Sequence, residues 1–246
     1  MTKRDGGPEP SAIEVVVVDL IKSAALLDAE EFARPRLSAQ EIARAAERHA
    51  VDGGAWRASR IALRIVLERW AGAAAPSAVF EIEPGGRPRL ASGDVHFSLS
   101  HADEAALIAV SRSGPLGIDV ESRRVLRITP ERQARLIAAA ERLAIAGDES
   151  DGSNASRVTR AWVRLEAVAK ASGSGIGRLL TEAGVVGGAG RSEAKDAASL
   201  DFEVRDIDAG AHFAAAIAAP RLPRVIDVRD FPASAAELTD FLAERR

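Results

Sequence analysis

The sequence predicts a mixed α+β protein made of two units with similar element order, and three features predict it. Short runs rich in β-branched residues mark strands, and longer segments with apolar residues every three or four positions mark helices. The order strand, helices, strands then starts again after Ser113-Gly114-Pro115. No residue-level repeat accompanies it, so the duplication is read from element order alone. The expected boundary separates residues 1–114 from 115–246.

After a polar leader ending near Pro10, Ile13 to Leu20 reads as a buried strand. Ser38 and Glu41 stand in capping-box spacing, and Trp56 to Trp70 places Ala58, Ile61, Ala62, Ile65 and Val66 on one helical face. Strands follow at Val79 to Ile82, His96 to Ser98 and Ala105 to Val110, punctuated by the turn Gly85-Gly86-Arg87-Pro88. The second unit reads as a strand at Leu116 to Glu121, a helix opening at Thr129-Pro130 and another from Ser156 to Ser172. Strands near Leu200 to Val204 and His212 to Ala218 come next, then a helix capped by Ser234 and Glu237. Residues 147–153 and 184–198 read as surface loops.

The 246 residues are 47% hydrophobic and 28% charged, the balance of a soluble globular protein. A net charge of -3 provides no general attraction to nucleic acid or anionic lipid, so a bound anion needs a local basic cluster. The absence of cysteine excludes disulfides and thiolate zinc sites and leaves carboxylates, which suit hard cations such as magnesium. The apolar run Val15 to Val18 is too short for an export signal, and no stretch is long enough to span a bilayer. The expectation is a cytoplasmic protein.

Three patterns carry chemistry. In Gly117-Ile118-Asp119-Val120-Glu121, strand alternation puts Asp119 and Glu121 on one face, where a divalent cation is the simplest counter-charge. On the Ser156 to Ser172 helix, Glu166 and Lys170 flank the apolar stripe and are one turn apart. In Phe97-Ser98-Leu99-Ser100-His101 a strand emerges into a serine and a histidine able to donate to a phosphate; nothing nearby resembles a nucleophile elbow. Arg57, Arg60 and Arg64 share a helix face, and Arg87 occupies a turn. Taken singly, each pattern also describes ordinary surface charge.

Together, in order and spacing, they resemble the 4'-phosphopantetheinyl transferase superfamily, of the long, surfactin-synthetase-activating type. Ser98-Leu99-Ser100-His101 resembles the family's Ser-His strand, Gly117 to Glu121 its Gly-Ile-Asp-Ile-Glu strand, and Trp162 to Gly175 its Trp-x-x-Lys-Glu-Ala-x-x-Lys-x-x-Gly-x-Gly helix. A Gly-Arg-Pro turn precedes the first block, as in the family. The resemblance implies that Asp119, Glu121 and Glu166 bind Mg2+, that Ser100, His101, Lys170 and Arg87 contact coenzyme A, and that Arg60 and Arg64 meet its phosphates. It also implies two pseudo-symmetric halves packed around a coenzyme A cleft in a monomer.

The activity implied is transfer of the 4'-phosphopantetheine arm of coenzyme A to a serine of an apo acyl, peptidyl or polyketide carrier protein. Either Glu166 or a metal-bound water would accept the serine proton, and Lys170 would neutralise the departing phosphate. Two departures stand out: Leu165 replaces the family's lysine before the glutamate, with Arg164 one residue earlier, and Ala102 replaces the serine after the histidine. A magnesium-dependent phosphohydrolase of coenzyme A or nucleotides, and a coenzyme A- or carrier-binding module without turnover, are the competing readings.

Overall fold

In the computed structural model the described residues are 13–48, 50–72, 78–123, 128–142, 154–186, 202–244 and 246. The chain runs β1 (Ile13–Asp19), α1 (Ala24–Ala33), α2 (Ala39–Ala46), α3 (Ala50–Ala71), β2 (Glu81–Ile82), β3 (Pro88–Arg89), β4 (His96–Ala102) and β5 (Ala105–Ser111). It continues through β6 (Gly117–Ser122), α4 (Pro130–Arg142), α5 (Asn154–Ser172), α6 (Ile176–Glu182), β7 (Glu203–Asp206), β8 (Phe213–Ala219), β9 (Asp227–Asp230) and α7 (Ala235–Ala243).

Two sheets carry the fold. The first has the order β4-β5-β1-β9, and the second β6-β8-β7. β1 is buried on both faces, which explains its unbroken valine run. Val16 and Val18 face the core beneath α3, with Ile61, Ile65 and Val66, whereas Ile13 and Val15 face a core shared with the second sheet. β6 and β8 supply Ile118, Val120, Ala215 and Ile217 to that shared core. Their opposite faces meet α5, where Ala214, Ala216 and Ala218 pack with Val168 and Leu165. The layers are therefore helix, sheet, sheet, helix, a mixed α+β arrangement.

β4 and β6, edge strands of different sheets, lie side by side and are stitched by side chains. The Ile118 amide donates to Ser98 Oγ at 3.1 Å, and Ser100 Oγ donates to Asp119 Oδ1 at 2.7 Å. Serines at alternate positions of an edge strand thus satisfy what a backbone ladder would otherwise serve.

Several expected elements appear with shifted ends, and the reasons are local. The capping box forms: Ser38 Oγ accepts from the Glu41 amide at 3.2 Å, and Glu41 Oε2 accepts from the Ser38 amide at 2.9 Å. The strand expected from Val79 shrinks to Glu81–Ile82, because it pairs only with the two-residue β3 across the glycine turn. β4 runs on to Ala102 because all seven of its residues pair with β5. The 147–153 loop lies outside the described residues, as does most of 184–198.

The largest departure is at the C-terminus. β9 pairs in parallel with β1, Glu14 to Val17 facing Asp227 to Asp230, and Phe231, Leu238 and Phe241 join the core beneath α3. Residues 227–243 thus complete the first sheet and its core, although the sequence reading groups them with the second unit. A buried carboxylate fixes this return: Glu14 accepts from Arg69 Nη1 and Trp70 Nε1, each at 2.6 Å, and pairs with Arg229 of β9 at 3.0 Å. Among the described residues no helix is long and apolar enough to cross a membrane.

Candidate active site

Ile118 and Val120 point into the core between the sheets, so the pleat sends Asp119 and Glu121 to the α5 side. Their cross-strand partners on β8 are Ala216 and Ala214, whose small side chains leave room for two carboxylates. Gly117 sets how close α5 comes. A Cβ at that position would overlap the Ala167 carbonyl oxygen and the Ala171 nitrogen. Without one, the helix crosses the start of β6 directly and delivers Glu166 and Lys170 beside Asp119.

Asp119 is only 4% exposed. Its Oδ1 accepts from Lys170 Nζ at 2.7 Å and from Ser100 Oγ at 2.7 Å, and Lys170 also donates to the Ile118 carbonyl at 3.0 Å. The lysine therefore turns to the strand rather than to Glu166 one turn back. Burial raises the Glu166 carboxyl from its ordinary value to about 7, with Asp119 adding to the rise, Lys170 opposing it and Glu121 adding again. Three carboxylates thus feel one another across β6 and α5.

A cleft of about 230 Å³ opens beside them, lined by Arg60, Arg87, Glu166 and Lys170. Arg87 is committed on two sides, to Glu83 Oε2 at 2.8 Å and to the Ala171 carbonyl at 2.8 Å, which fastens the β2–β3 turn to the end of α5. Gly85 makes that contact possible, since a Cβ there would overlap the Gly173 carbonyl. Arg60 stands 5.1 Å from the Trp56 ring, its Nε buried without a hydrogen-bond partner. Burial lowers the pKa of this guanidinium, Glu41 opposes, and Arg64, Arg44 and Arg48 lower it further; it remains a cation. His101 is held below the usual imidazole value by burial, then by Arg48, Arg60 and Lys170, against Asp52, and is neutral at pH 7.

One of the sequence-derived expectations changes. Arg64, expected with Arg60 against phosphates, is 1% exposed. Its Nε and Nη2 go to Glu41 Oε2 at 3.1 and 2.7 Å, its Nη1 to the Ala78 carbonyl, and its plane covers Phe80. It braces α2 against α3 instead, because α2 brings the Glu41 carboxylate to it. Arg164, one residue before the leucine that stands in the place of the family's lysine, is paired through two 2.7 Å hydrogen bonds with Asp206 of β7, and Leu165 is fully buried in the core beneath α5. Neither residue lines the cleft.

The structure also adds residues that the sequence did not single out. Arg48 approaches the Trp56 ring at 5.2 Å and joins the cations around His101. The Trp56–Arg60 spacing of one helical turn is legible in sequence, but Arg48 precedes α3 across a turn and leaves no periodic signal. Ser98 and Gly117 act through a neighbouring strand and helix, which a linear pattern does not show.

Among the described residues no three Asp, Glu or His side chains are gathered closely enough to hold a metal ion as they stand. Two observations nevertheless fit a divalent cation. Asp119 Oδ2 is buried without a hydrogen-bond partner. Glu166, raised first by burial and then by Asp119, lies close enough to Asp119 and Glu121 for their charges to act on it, with Lys170 opposing. A carboxylate-only donor set further suits a hard ion.

Comparison with known proteins adds one family. Residues 115–217 match the family model of the 4'-phosphopantetheinyl transferase superfamily. The matched segment holds Asp119, Glu121, Glu166 and Lys170, whereas Arg60, Arg87, Ser100 and His101 precede it. No curated protein matches the chain.

Proposed function

We propose that the chain, whose residues 115–217 are a 4'-phosphopantetheinyl transferase superfamily domain, moves 4'-phosphopantetheine from coenzyme A to a serine of an apo carrier protein. The domain itself points to phosphopantetheine transfer in general, a transferase activity. The finer reading rests above all on one observation: Asp119 of the Gly117 to Glu121 strand, together with Glu166 and Lys170 of α5, forms a coupled charge cluster at the wall of a basic cleft.

In this reading the serine oxygen forms a bond to the phosphorus bearing the pantetheine arm as the bridging P–O bond breaks. Adenosine 3',5'-bisphosphate leaves with the electron pair. Mg2+, held by Asp119, Glu121 and Glu166, would neutralise the charge that gathers on the pyrophosphate oxygens. Glu166, whose carboxylate the cation would keep ionised, would take the serine proton. Lys170, Arg60 and Arg87 line the cleft and would meet the diphosphate oxygens, positioning the arm and favouring departure of the bisphosphate. His101, neutral and beside Arg48 and Arg60, would offer a ring N–H to a phosphate, and Ser100 would hold Asp119 in place.

The same reading divides the protein near Gly114-Pro115 into pseudo-symmetric halves around the cleft, with residues 227–243 returning to the first. Both halves lie in one chain, so a cytoplasmic monomer would supply the whole site. Mass spectrometry of candidate apo acyl, peptidyl and polyketide carriers, incubated with the protein, coenzyme A and Mg2+, tests the proposal. A gain of one phosphopantetheine supports it. Release of inorganic phosphate with every carrier unmodified sinks it.

A further inference from the structure

Lys170 stands between two charge environments. Its Nζ is bound on one side to Asp119 Oδ1 at 2.7 Å and the Ile118 carbonyl at 3.0 Å, and on the other its side chain, 30% exposed, lines the cleft with Arg60 and Arg87. The two oxygens of Asp119 are unequal as a result. Oδ1 is saturated by the ammonium and by Ser100 Oγ, while Oδ2 is buried without a partner. An ammonium on Oδ1 and a divalent cation on the same carboxylate repel each other at close range.

Resting on the reading above, we propose that Lys170 is an exchangeable counter-ion: it neutralises the Asp119 cluster in the empty site and swings to the pyrophosphate when coenzyme A enters. Cation and nucleotide binding are then coupled through one side chain. The flexible four-carbon stem and compact charge of lysine suit such a transfer, which the planar guanidinium of arginine would not reproduce. Ser100 stays on Oδ1 throughout and keeps the carboxylate aimed at α5 while the ammonium is away. By linkage, whatever the nucleotide gains from the cation the cation gains from the nucleotide. Lys170 thus guards the acidic cluster against metal until the substrate that needs it has arrived.

The test measures binding and needs no turnover. Mn2+ is titrated into the full-length protein by electron paramagnetic resonance, with and without coenzyme A and in the absence of any carrier. Without coenzyme A, K170M is expected to bind Mn2+ about tenfold more tightly than wild type. With coenzyme A that gap closes, because the wild-type lysine has left Asp119. Equal affinities without coenzyme A overturn the inference. So does a gap that coenzyme A leaves unchanged, since it makes Lys170 a fixed repulsive charge. K170Q carries the same comparison if K170M fails to fold, as judged by thermal melting. D119N separates the two levels: weakened Mn2+ binding in D119N with equal wild-type and K170M affinities retains the metal site and removes only the exchange. Mn2+ binding untouched by D119N removes the metal-site reading itself.

Discussion

The backbone of Gly117 lies against the Ala167 carbonyl so closely that a single methyl group would overlap it. This one contact sets the distance between the strand that carries Asp119 and the helix that carries Glu166 and Lys170. G117A should therefore act on both stability and the site. Overpacking of this kind costs roughly 1–3 kcal/mol, and urea denaturation should show a loss in that range. Pushing α5 outward should also lengthen the Lys170–Asp119 pair and lower transfer. A variant of unchanged stability and turnover would show that the helix accommodates the methyl group and that its closeness is incidental.

Asp119 is the centre on which Ser100, Lys170 and the neighbouring carboxylates converge. D119A should lower phosphopantetheine transfer by at least about 100-fold, the usual scale for removing an electrostatic element of a preorganised site. The far-ultraviolet circular dichroism should be retained, because the truncation leaves the apolar cores on both faces of β6 in place. Transfer within a fewfold of wild type would exclude Asp119 from the reaction.

Glu166 titrates near 7 in the folded protein against an ordinary 4.5, and the sign of the resulting pH dependence is fixed. Between 4.5 and 7 the folded chain holds a proton that the unfolded chain has released, so stability falls as pH rises through this window. E166Q should remove that part of the decline and be stabilised relative to wild type above pH 7. Metal binding should run the other way, since the cation needs the carboxylate and must expel its proton. Mg2+ affinity should weaken by up to about tenfold per unit below pH 7, measured by calorimetry in buffers of different ionisation enthalpy. A flat profile would place Glu166 outside the metal site.

The alternation Ile118, Asp119, Val120, Glu121 was legible because a strand with one face in a core has only one register. The Glu166–Lys170 helix was legible through its apolar stripe, although its lysine turned out to pair with Asp119, across the fold, and not along the helix. What a linear pattern lacks is the third dimension. β9 has only four residues and no apolar face of its own, so its return to β1 depends on the Glu14–Arg69–Arg229 cluster, whose members are far apart in sequence. The pairing of Arg64 with Glu41, which takes it from the cleft, likewise depends on where α2 packs.

Leu165 occupies a position at which the family pattern carries lysine, yet here it is fully buried among Val168, Ala139 and Ala218. L165K should therefore not add a cation to the cleft. It should place an unpaired ammonium in an apolar core and destabilise the protein by several kcal/mol, with no gain in coenzyme A affinity. R164A should be milder: the Asp206 partner is partly exposed, so a loss on the order of 1 kcal/mol is expected with KM for coenzyme A unchanged. A raised KM in R164A would place Arg164 in the site after all.

Arg60 and Arg64, one turn apart on α3, separate the two ways an arginine can matter. Arg64 is buried with its donors on Glu41 and Ala78, so R64A removes the ion pair of Glu41 and leaves that carboxylate to the Ser38 donors of its capping box. Breaking such a pair from one side costs about 3 kcal/mol or more, and the melting temperature should fall accordingly, while KM measured on the folded fraction stays near wild type. Arg60 lines the cleft with its Nε unpartnered, so R60A should barely change the melting temperature. It should instead raise KM for coenzyme A about tenfold, the scale of one charge-assisted hydrogen bond. If both variants move the same observable in the same direction, the division between brace and phosphate contact drawn from their geometry does not hold.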